Sequence, residues 1–201
     1  MTNHYYSRTP EVESDPQTIE AVLKDHKFRL KTDQGVFSKS EIDFGSRLLI
    51  DSFTENEITG PLLDVGCGYG PVGLSMAKAF PERTVHMVDV NVRAIGLAEE
   101  NARANGISNA SIYESSCFKN VSEKNFSAVL TNPPIRAGKS VVHEILEDSY
   151  NHLAVGGELW VVIQKKQGAA SAQKKMEEVF GNSEVAAKKK GYQILKSVKE
   201  N

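Results

Sequence analysis

Short apolar runs alternate with amphipathic segments along most of the chain. Five runs have the length and β-branched content of buried strands, and they span residues 62–65, 84–90, 110–114, 126–131 and 158–164. Five segments have the apolar spacing of helices, at residues 40–52, 71–79, 92–105, 139–153 and 169–180. This alternation predicts an α/β fold with a doubly wound, mostly parallel sheet that helices cover on both faces.

The two ends of the chain follow other patterns. Residues 184–198 predict two strands joined by a tight turn at Lys190 and Gly191, which adds an antiparallel hairpin to the sheet. Residues 1–16 are polar and hold two prolines, which predicts a flexible arm. A short helix is expected from Ile19 to Phe28, followed by a strand. We therefore expect residues 1–34 to form an arm and a small add-on to a main domain at residues 35–201.

Composition narrows the class of protein. A length of 201 residues with 40% hydrophobic and 25% charged residues fits one globular domain. Two cysteines are too few for a disulfide framework and the N-terminus lacks an apolar signal segment, so we expect a cytoplasmic protein. The longest apolar run, about Leu159 to Ile163, predicts no membrane role. The histidines lack partners at ligand spacing, so no metal site is expected.

Charge is unevenly distributed. The net charge is −2, yet residues 161–201 hold nine lysines and four glutamates. This basic segment is either a solvated surface or a binding patch for an anionic partner.

A glycine-rich stretch follows the first buried strand. Gly66, Gly68 and Gly70 alternate after Asp64, and each can adopt positive φ and let a ligand approach the backbone. Pro71 suits the first position of a helix, whose positive end would face the same ligand. Nucleotides, dinucleotides and S-adenosylmethionine (SAM) are all bound in this way. The stretch predicts a nucleotide-like ligand without choosing among these.

Asp89 narrows the choice of ligand. It ends the second buried strand, 19 residues beyond Gly70. A carboxylate at about this spacing accepts hydrogen bonds from ribose hydroxyls in nucleotide-binding α/β folds. The glycine loop, Asp89, Ser116 and Asn132 all follow strands of the predicted parallel sheet, so we expect them to share one crevice.

Asn132-Pro133-Pro134 follows the fourth strand and suggests the chemistry. Two prolines remove two donors and stiffen the loop, which leaves the Asn132 side chain and the Pro133 carbonyl as fixed acceptors. These acceptors suit an exocyclic amine of a nucleobase, which is a poor nucleophile and gains positive charge as it attacks a methyl group. No strong general base is then required.

Together these motifs resemble class I SAM-dependent methyltransferases, specifically the small-subunit ribosomal RNA guanine-N2 methyltransferase family and small bacterial relatives. The resemblance covers about residues 28–198. The matching segments are Gly35-Val-Phe-Ser-Lys39, residues 40–50, Asp64-Val-Gly-Cys-Gly-Tyr-Gly70, Asp89-Val-Asn91, Asn132-Pro-Pro134, Gly156-Gly-Glu-Leu159 and the Gly191-Tyr192 hairpin. It implies a seven-stranded, Rossmann-like sheet with a C-terminal antiparallel hairpin, and SAM as the cofactor.

The resemblance also implies roles for individual residues. The cofactor would contact Phe37, Asp64, Gly66, Cys67, Gly68, Asp89, Val90, Ser116, Cys117 and Asn132. The catalytic loop would comprise Asn132, Pro133, Pro134 and Ile135. The implied reaction is methylation of an exocyclic base amine in RNA, most simply guanine N2 of ribosomal RNA, and the implied partner is rRNA or a ribosomal subunit.

Three departures from the family pattern keep other functions open. Ile135 replaces an aromatic residue that stacks on the flipped base, Ser116 replaces an Asp or Asn, and the additional N-terminal domain of larger members is absent. The alternatives are a methyltransferase for a protein glutamine amide or small amine, and a non-catalytic SAM- or RNA-binding protein of the ribosome. A nicotinamide dehydrogenase is a further alternative, because Gly68, Gly70 and Gly73 formally match the dinucleotide fingerprint. The sequence leaves the oligomeric state open.

Overall fold

Strands and helices alternate through most of the computed structural model, which describes residues 6–201. The strands are β1 (Gln17–Leu23), β2 (His26–Thr32), β3 (Leu62–Val65), β4 (Val85–Asp89), β5 (Ala110–Glu114), β6 (Phe126–Thr131), β7 (Leu153–Gln164), β8 (Glu184–Lys189) and β9 (Tyr192–Val198). The α-helices are α1 (Phe44–Ser52), α2 (Pro71–Ala79), α3 (Val92–Ala104), α4 (Lys139–His152) and α5 (Ala169–Phe180).

Seven strands form one sheet in the order β5-β4-β3-β6-β7-β9-β8. The first five strands in this order are parallel to one another, whereas β9 pairs antiparallel with both β7 and β8. This confirms the predicted Rossmann-like sheet with a C-terminal antiparallel hairpin. Strand order reverses between β3 and β6, and in such sheets a ligand binds beyond the carboxyl ends of the strands at that point.

The sheet has a separate buried cluster on each face. One cluster packs the first three helices and the N-terminal strands against residues such as Leu62, Met87 and Trp160. The other packs α4 and α5 against residues such as Leu63 and Val161. Because successive side chains of a strand point to opposite faces, Leu62 and Leu63 serve different clusters. The sheet is thus buried on both sides, as its apolar strands predict.

The N-terminal part differs from its prediction. Residues 17–32 form a two-stranded antiparallel hairpin, so the short helix expected from Ile19 to Phe28 is wrong. Lys24 and Asp25 make the turn with φ of 45° and 64°, a conformation suited to a tight hairpin. Phe28 and Leu30 of β2 are buried in the first cluster. The division into residues 1–34 and 35–201 stays a prediction.

Asn101 of α3 connects this hairpin to the glycine loop. Its Oδ1 accepts from the backbone N–H of Lys31 at 2.7 Å, and its Nδ2 donates to the Lys31 carbonyl at 2.9 Å. The same Nδ2 donates to the carbonyl of Tyr69, also at 2.9 Å. One buried amide therefore links the edge of β2 to the backbone of the loop between β3 and α2.

The segment before the hairpin lies along the side of the sheet that carries the loops. The Arg8 carbonyl accepts from the N–H of Val92, and the Arg8 guanidinium pairs with Glu114 at 2.6 Å. The Val12 carbonyl accepts from Arg93 at 2.8 Å. The predicted arm at residues 1–16 thus makes specific contacts from residue 6 onward, and its first five residues lie outside the described part of the chain. Among the helices of residues 6–201, none has the length and apolar character needed to cross a membrane.

Candidate active site

The carboxyl ends of β3, β4, β5 and β6 surround a cavity of about 310 Å³. Its lining includes nearly all the residues predicted from the sequence to form the site: Phe37, Asp64, Gly66, Cys67, Gly68, Asp89, Val90, Ser116, Cys117, Asn132, Pro133 and Pro134. Its volume falls within the range of small-molecule sites. The parallel sheet therefore brings together residues that are widely separated in the sequence.

Ile135 is placed differently from the other predicted residues. It begins a short 3-10 helix, Ile135–Ala137, and packs against the cluster under α4 instead of lining the cavity. Ala137 and Val141 line this part of the wall instead. The position at which the family resemblance leads us to expect an aromatic ring thus faces apolar neighbours here.

The glycine loop leaves space for a ligand at two positions. Gly66 and Gly68 have φ of 77° and 57°, and a Cβ on either would meet no atom within 4 Å. Gly70 precedes the first residue of α2, Pro71, with φ of 104°. Two open glycines that line the cavity beside a helix N-terminus form a cradle for a polar ligand.

Two carboxylates brace this loop. Asp64 Oδ2 accepts from the N–H of Gly73 at 2.8 Å, and Asp89 Oδ2 accepts from the N–H of Gly68 at 2.8 Å. Burial raises the pKa of Asp64 to about 7, and the nearby Asp89 adds to the rise while the Gly73 N–H opposes it. Burial also raises the pKa of Asp89, against hydrogen bonds from backbone N–H groups. Both carboxyl groups hold the loop, and both residues line the cavity.

Burial disfavours the thiolate form of the two cysteines that line the cavity. Burial raises the pKa of the Cys67 thiol well above its ordinary value, and burial raises that of Cys117 to about 11. Both thiols are therefore protonated at neutral pH, whereas the thiolate is the reactive form. No group of three or more His, Cys, Asp or Glu residues within 6–201 is placed to hold a metal.

Asn132 is held by two side chains that the sequence reasoning missed. Its Nδ2 donates to Asp43 Oδ2 at 3.3 Å and to Ser46 Oγ at 3.1 Å. An ionised carboxylate only accepts hydrogen bonds, so Asp43 requires the NH₂ side of the amide to face it. Asn132 Oδ1 consequently points away from α1, on a side chain that lines the cavity.

Asp43 also explains why α1 begins where it does. It is the N-cap of the helix and accepts from the N–H of Ser46 at 3.0 Å, whereas the helix was expected to begin at residue 40. Ser40 is exposed and lies within a bend at residues 39–41, so the expected start is wrong and the N-cap lies three residues after it. An Asp three positions before Ser46 is itself a cap signal, and it could have identified Asp43.

Comparisons with known proteins agree with this geometry. A family model described as the methyltransferase small domain matches residues 27–196. The uncharacterized protein YbxB of Bacillus subtilis (strain 168) is 58% identical over 200 residues, which cover 99% of this chain and 100% of that protein. A ribosomal RNA small subunit methyltransferase C of Vibrio cholerae is 32% identical over 178 residues, 87% of this chain and 50% of the relative.

One solved structure has a closely similar fold. It is a T. thermophilus 16S rRNA N2 methyltransferase in complex with AdoMet and guanosine, with a TM-score of 0.83 and 23% identity. The match covers 94% of this chain and 52% of that one. The chain thus spans about half the length of both rRNA methyltransferases that it matches.

Proposed function

We propose that this chain methylates an exocyclic amine of a nucleobase in RNA. The chain belongs to the methyltransferase small domain family and is a SAM-dependent methyltransferase. The proposed acceptor is guanine N2 of ribosomal RNA, as the names of the V. cholerae and T. thermophilus proteins suggest. The family membership decides against a nicotinamide dehydrogenase. A cytoplasmic location belongs to the same proposal, since ribosomal RNA is the substrate.

The residues of the cavity fit SAM. The open space above Gly66 and Gly68 suits its methionine part, and Asp89 suits ribose hydroxyls. Ser116 and Cys117 follow β5 and suit the adenine edge. Bound SAM supplies a methyl group on a positively charged sulfur, ready for transfer to a nucleophile. These assignments, with Phe37, Asp64, Cys67 and Val90 at the walls, belong to the proposal.

The single observation that carries the proposal is the fixed orientation of Asn132. With its Nδ2 bound to Asp43 and Ser46, its Oδ1 is left as an acceptor on a side chain that lines the cavity. We assign Asn132 Oδ1 and the Pro133 carbonyl to the two hydrogens of the acceptor amine. Both prolines stiffen the loop, so these acceptors need little reorganisation as positive charge develops on the nitrogen.

The acceptor base must leave its stack to reach this loop. A flipped base is held in such a pocket by hydrogen bonds and by stacking between aromatic or apolar side chains. Ile135 has no aromatic ring that could stack on the base. Pro133 and Pro134 provide rigid apolar surfaces along the cavity wall. In the proposed mechanism Ile135 supports the loop from beneath, through its packing on the α4 side.

Methyl transfer from radiolabelled SAM to unmodified small-subunit rRNA, or to subunits that lack modifications, tests the proposal. We expect a methylguanosine in the digested RNA. Asn132→Ala should lower kcat about 100-fold, as removal of one preoriented group commonly does, while SAM still binds in calorimetry. Transfer only to protein or to small molecules would contradict the RNA assignment.

A protein glutamine amide or small amine is the second candidate acceptor. One observation favours it, namely the missing aromatic ring at Ile135, because an amide nitrogen needs the acceptor loop but no stacking partner. Ribosomal proteins in the same reaction mixture provide the test. Label in a protein band, with none in the RNA, would support this candidate over the nucleobase.

A further inference from the structure

Five lysines gather at the carboxyl edge of the sheet, outside the cavity described above. Lys165 and Lys166 follow β7, and Lys188, Lys189 and Lys190 end β8 and form its turn into β9. The N–H of Lys165 donates to the carbonyl of Gly191 at 2.8 Å, which holds the two segments side by side. We call these five residues the lysine edge.

The lysine edge lacks the carboxylate partners that other lysines of the C-terminal segment have. Lys174, Lys175 and Lys196 each pair with a glutamate. All five lysines of the edge are exposed, and none takes part in an ion pair among residues 6–201. Like charges that share one surface repel each other, so the edge is a favourable place for a polyanion.

A concave surface lies within the edge. A second cavity of about 250 Å³ is lined by Lys165, Lys188, Lys189, Lys190, Gly191, Tyr192 and Gln193. No carboxylate belongs to this lining. The hydroxyl of Tyr192, one of the lining residues, accepts from Gln164 Nε2 at 2.6 Å.

Contacts through the start of α1 connect the lysine edge to Asn132. Lys190 Nζ lies 5.1 Å from the ring centroid of Phe44, and the Phe44 and Tyr192 rings are 5.5 Å apart. Phe44 follows Asp43, which accepts from Asn132. Because β6 and β7 are parallel, Asn132 and Lys165 also follow strand ends on the same edge of the sheet.

We propose that the lysine edge binds the phosphates of the RNA strand next to the nucleotide that enters the active site. The inference rests on the proposed function and adds the surface by which the substrate is held. Lysines are flexible point charges, which suit sequence-independent phosphate contacts. The lysine edge thus holds and orients the strand, while the Asn132 loop selects the amine.

The test compares three triple variants with the wild-type chain. The first is Lys188→Ala/Lys189→Ala/Lys190→Ala. The second, K188R/K189R/K190R, keeps the charges. The third, K27A/R103A/K174A, removes three exposed cations from β2, α3 and α5. An unmodified transcript of small-subunit rRNA is the probe, and each variant is assayed for RNA affinity across a salt series, for kcat and KM, and for SAM binding.

We expect the alanine variant to raise the KM for rRNA about tenfold, with kcat and SAM affinity unchanged. The slope of log affinity against log salt concentration should be less steep by about 2 in this variant. Each lost contact to a phosphate of single-stranded RNA lowers the magnitude of that slope by about 0.7. The arginine variant and the distant triple variant should match the wild type. These comparisons distinguish an effect of charge at the lysine edge from an effect of the overall charge of the chain and from a loss of folding.

The results distinguish failure of this inference from failure of the proposed function. If the wild type methylates rRNA and the alanine variant keeps both its KM and its salt slope, the lysine edge does not bind the substrate. If the wild type neither binds nor methylates rRNA, the proposed function fails and this inference fails with it. Equal losses in the alanine and distant variants would also overturn it, because they would indicate a general charge effect.

Discussion

Asp43 offers a sharp test of how the acceptor loop is oriented, through the substitution Asp43→Asn. Asparagine caps a helix about as well as aspartate, so α1 keeps its cap. The side chain also keeps its size. What changes is the chemistry opposite Asn132, because an amide can donate as well as accept. The Asn132 amide then loses the partner that forces its Nδ2 toward α1.

The size of the effect follows from the hydrogen bonds involved. A hydrogen bond to a charged group contributes about 1.5–3 kcal/mol, against about 0.5–1.5 kcal/mol for a neutral pair. Ser46 Oγ, at 3.1 Å, still accepts from Asn132 but can also donate, so it does not restore the bias. A loss of about 1–2 kcal/mol corresponds to a factor of about 5–30, and we expect kcat to fall by that factor.

Single-turnover methyl transfer measures this loss, with SAM affinity from calorimetry and thermal unfolding as controls. SAM affinity and the unfolding temperature should stay near the wild-type values. Asp43→Ala is the matched comparison, since it removes the cap as well and should lower the free energy of unfolding by about 1 kcal/mol. If Asp43→Asn keeps the full kcat, or loses activity only as SAM affinity falls, Asp43 does not orient Asn132.

Two further predictions concern the glycine loop and its supports. The pKa of Asp64 is about 7 in the folded chain and about 3.9 in the unfolded chain. Between these two pH values the Asp64 carboxyl is protonated in the folded state and ionised in the unfolded state. Its contribution to the free energy of unfolding should fall by about 1.4 kcal/mol per pH unit from pH 4 to 7. Urea unfolding without cofactor should show a flatter pH dependence for Asp64→Asn, and equal slopes would refute this. Gly73→Ala places a Cβ 2.6 Å from Met87 Cγ and should cost about 1–3 kcal/mol in the same assay. Gly96→Ala, where a Cβ meets no atom within 4 Å, is its control and should not destabilise.

Elements with strong local signals were predictable from the sequence. The helices at Pro71–Ala79 and Ala169–Phe180 and the strand at Phe126–Thr131 have the predicted bounds. Pro71 at the first helical position and Gly181 after the last one mark their ends. The site followed from topology, since parallel strands bring residues that follow them to a common edge.

The N-terminal hairpin was not predictable in the same way. Its turn uses Lys24 and Asp25 where the sequence signal for a tight hairpin is usually Asn-Gly or Asp-Gly. The strands are stabilised by long-range contacts such as the two hydrogen bonds between Lys31 and Asn101. The helical apolar spacing of residues 19–28 was overridden by these tertiary contacts.

Residues that act through another side chain were also missed. Asp43 and Ser46 do not form a known catalytic motif, and their role depends on a contact with Asn132 across 89 and 86 positions of sequence. Only the fold brings α1 to the end of β6. Motif spacing therefore singled out Asn132 as a candidate, whereas the orientation of its amide required the structure.

The double role of Asn101 makes the N-terminal hairpin and the glycine loop depend on each other. A hairpin that merely decorated the domain could be exchanged or lost without effect on catalysis. Here the same amide that binds the edge of β2 also binds the carbonyl of Tyr69 within the glycine loop. Replacement of the hairpin by an unrelated segment would leave that amide without one partner. A substitution on the exposed face of the hairpin therefore leaves the glycine loop unaffected, whereas a change at its inner edge is transmitted through Asn101 to that loop.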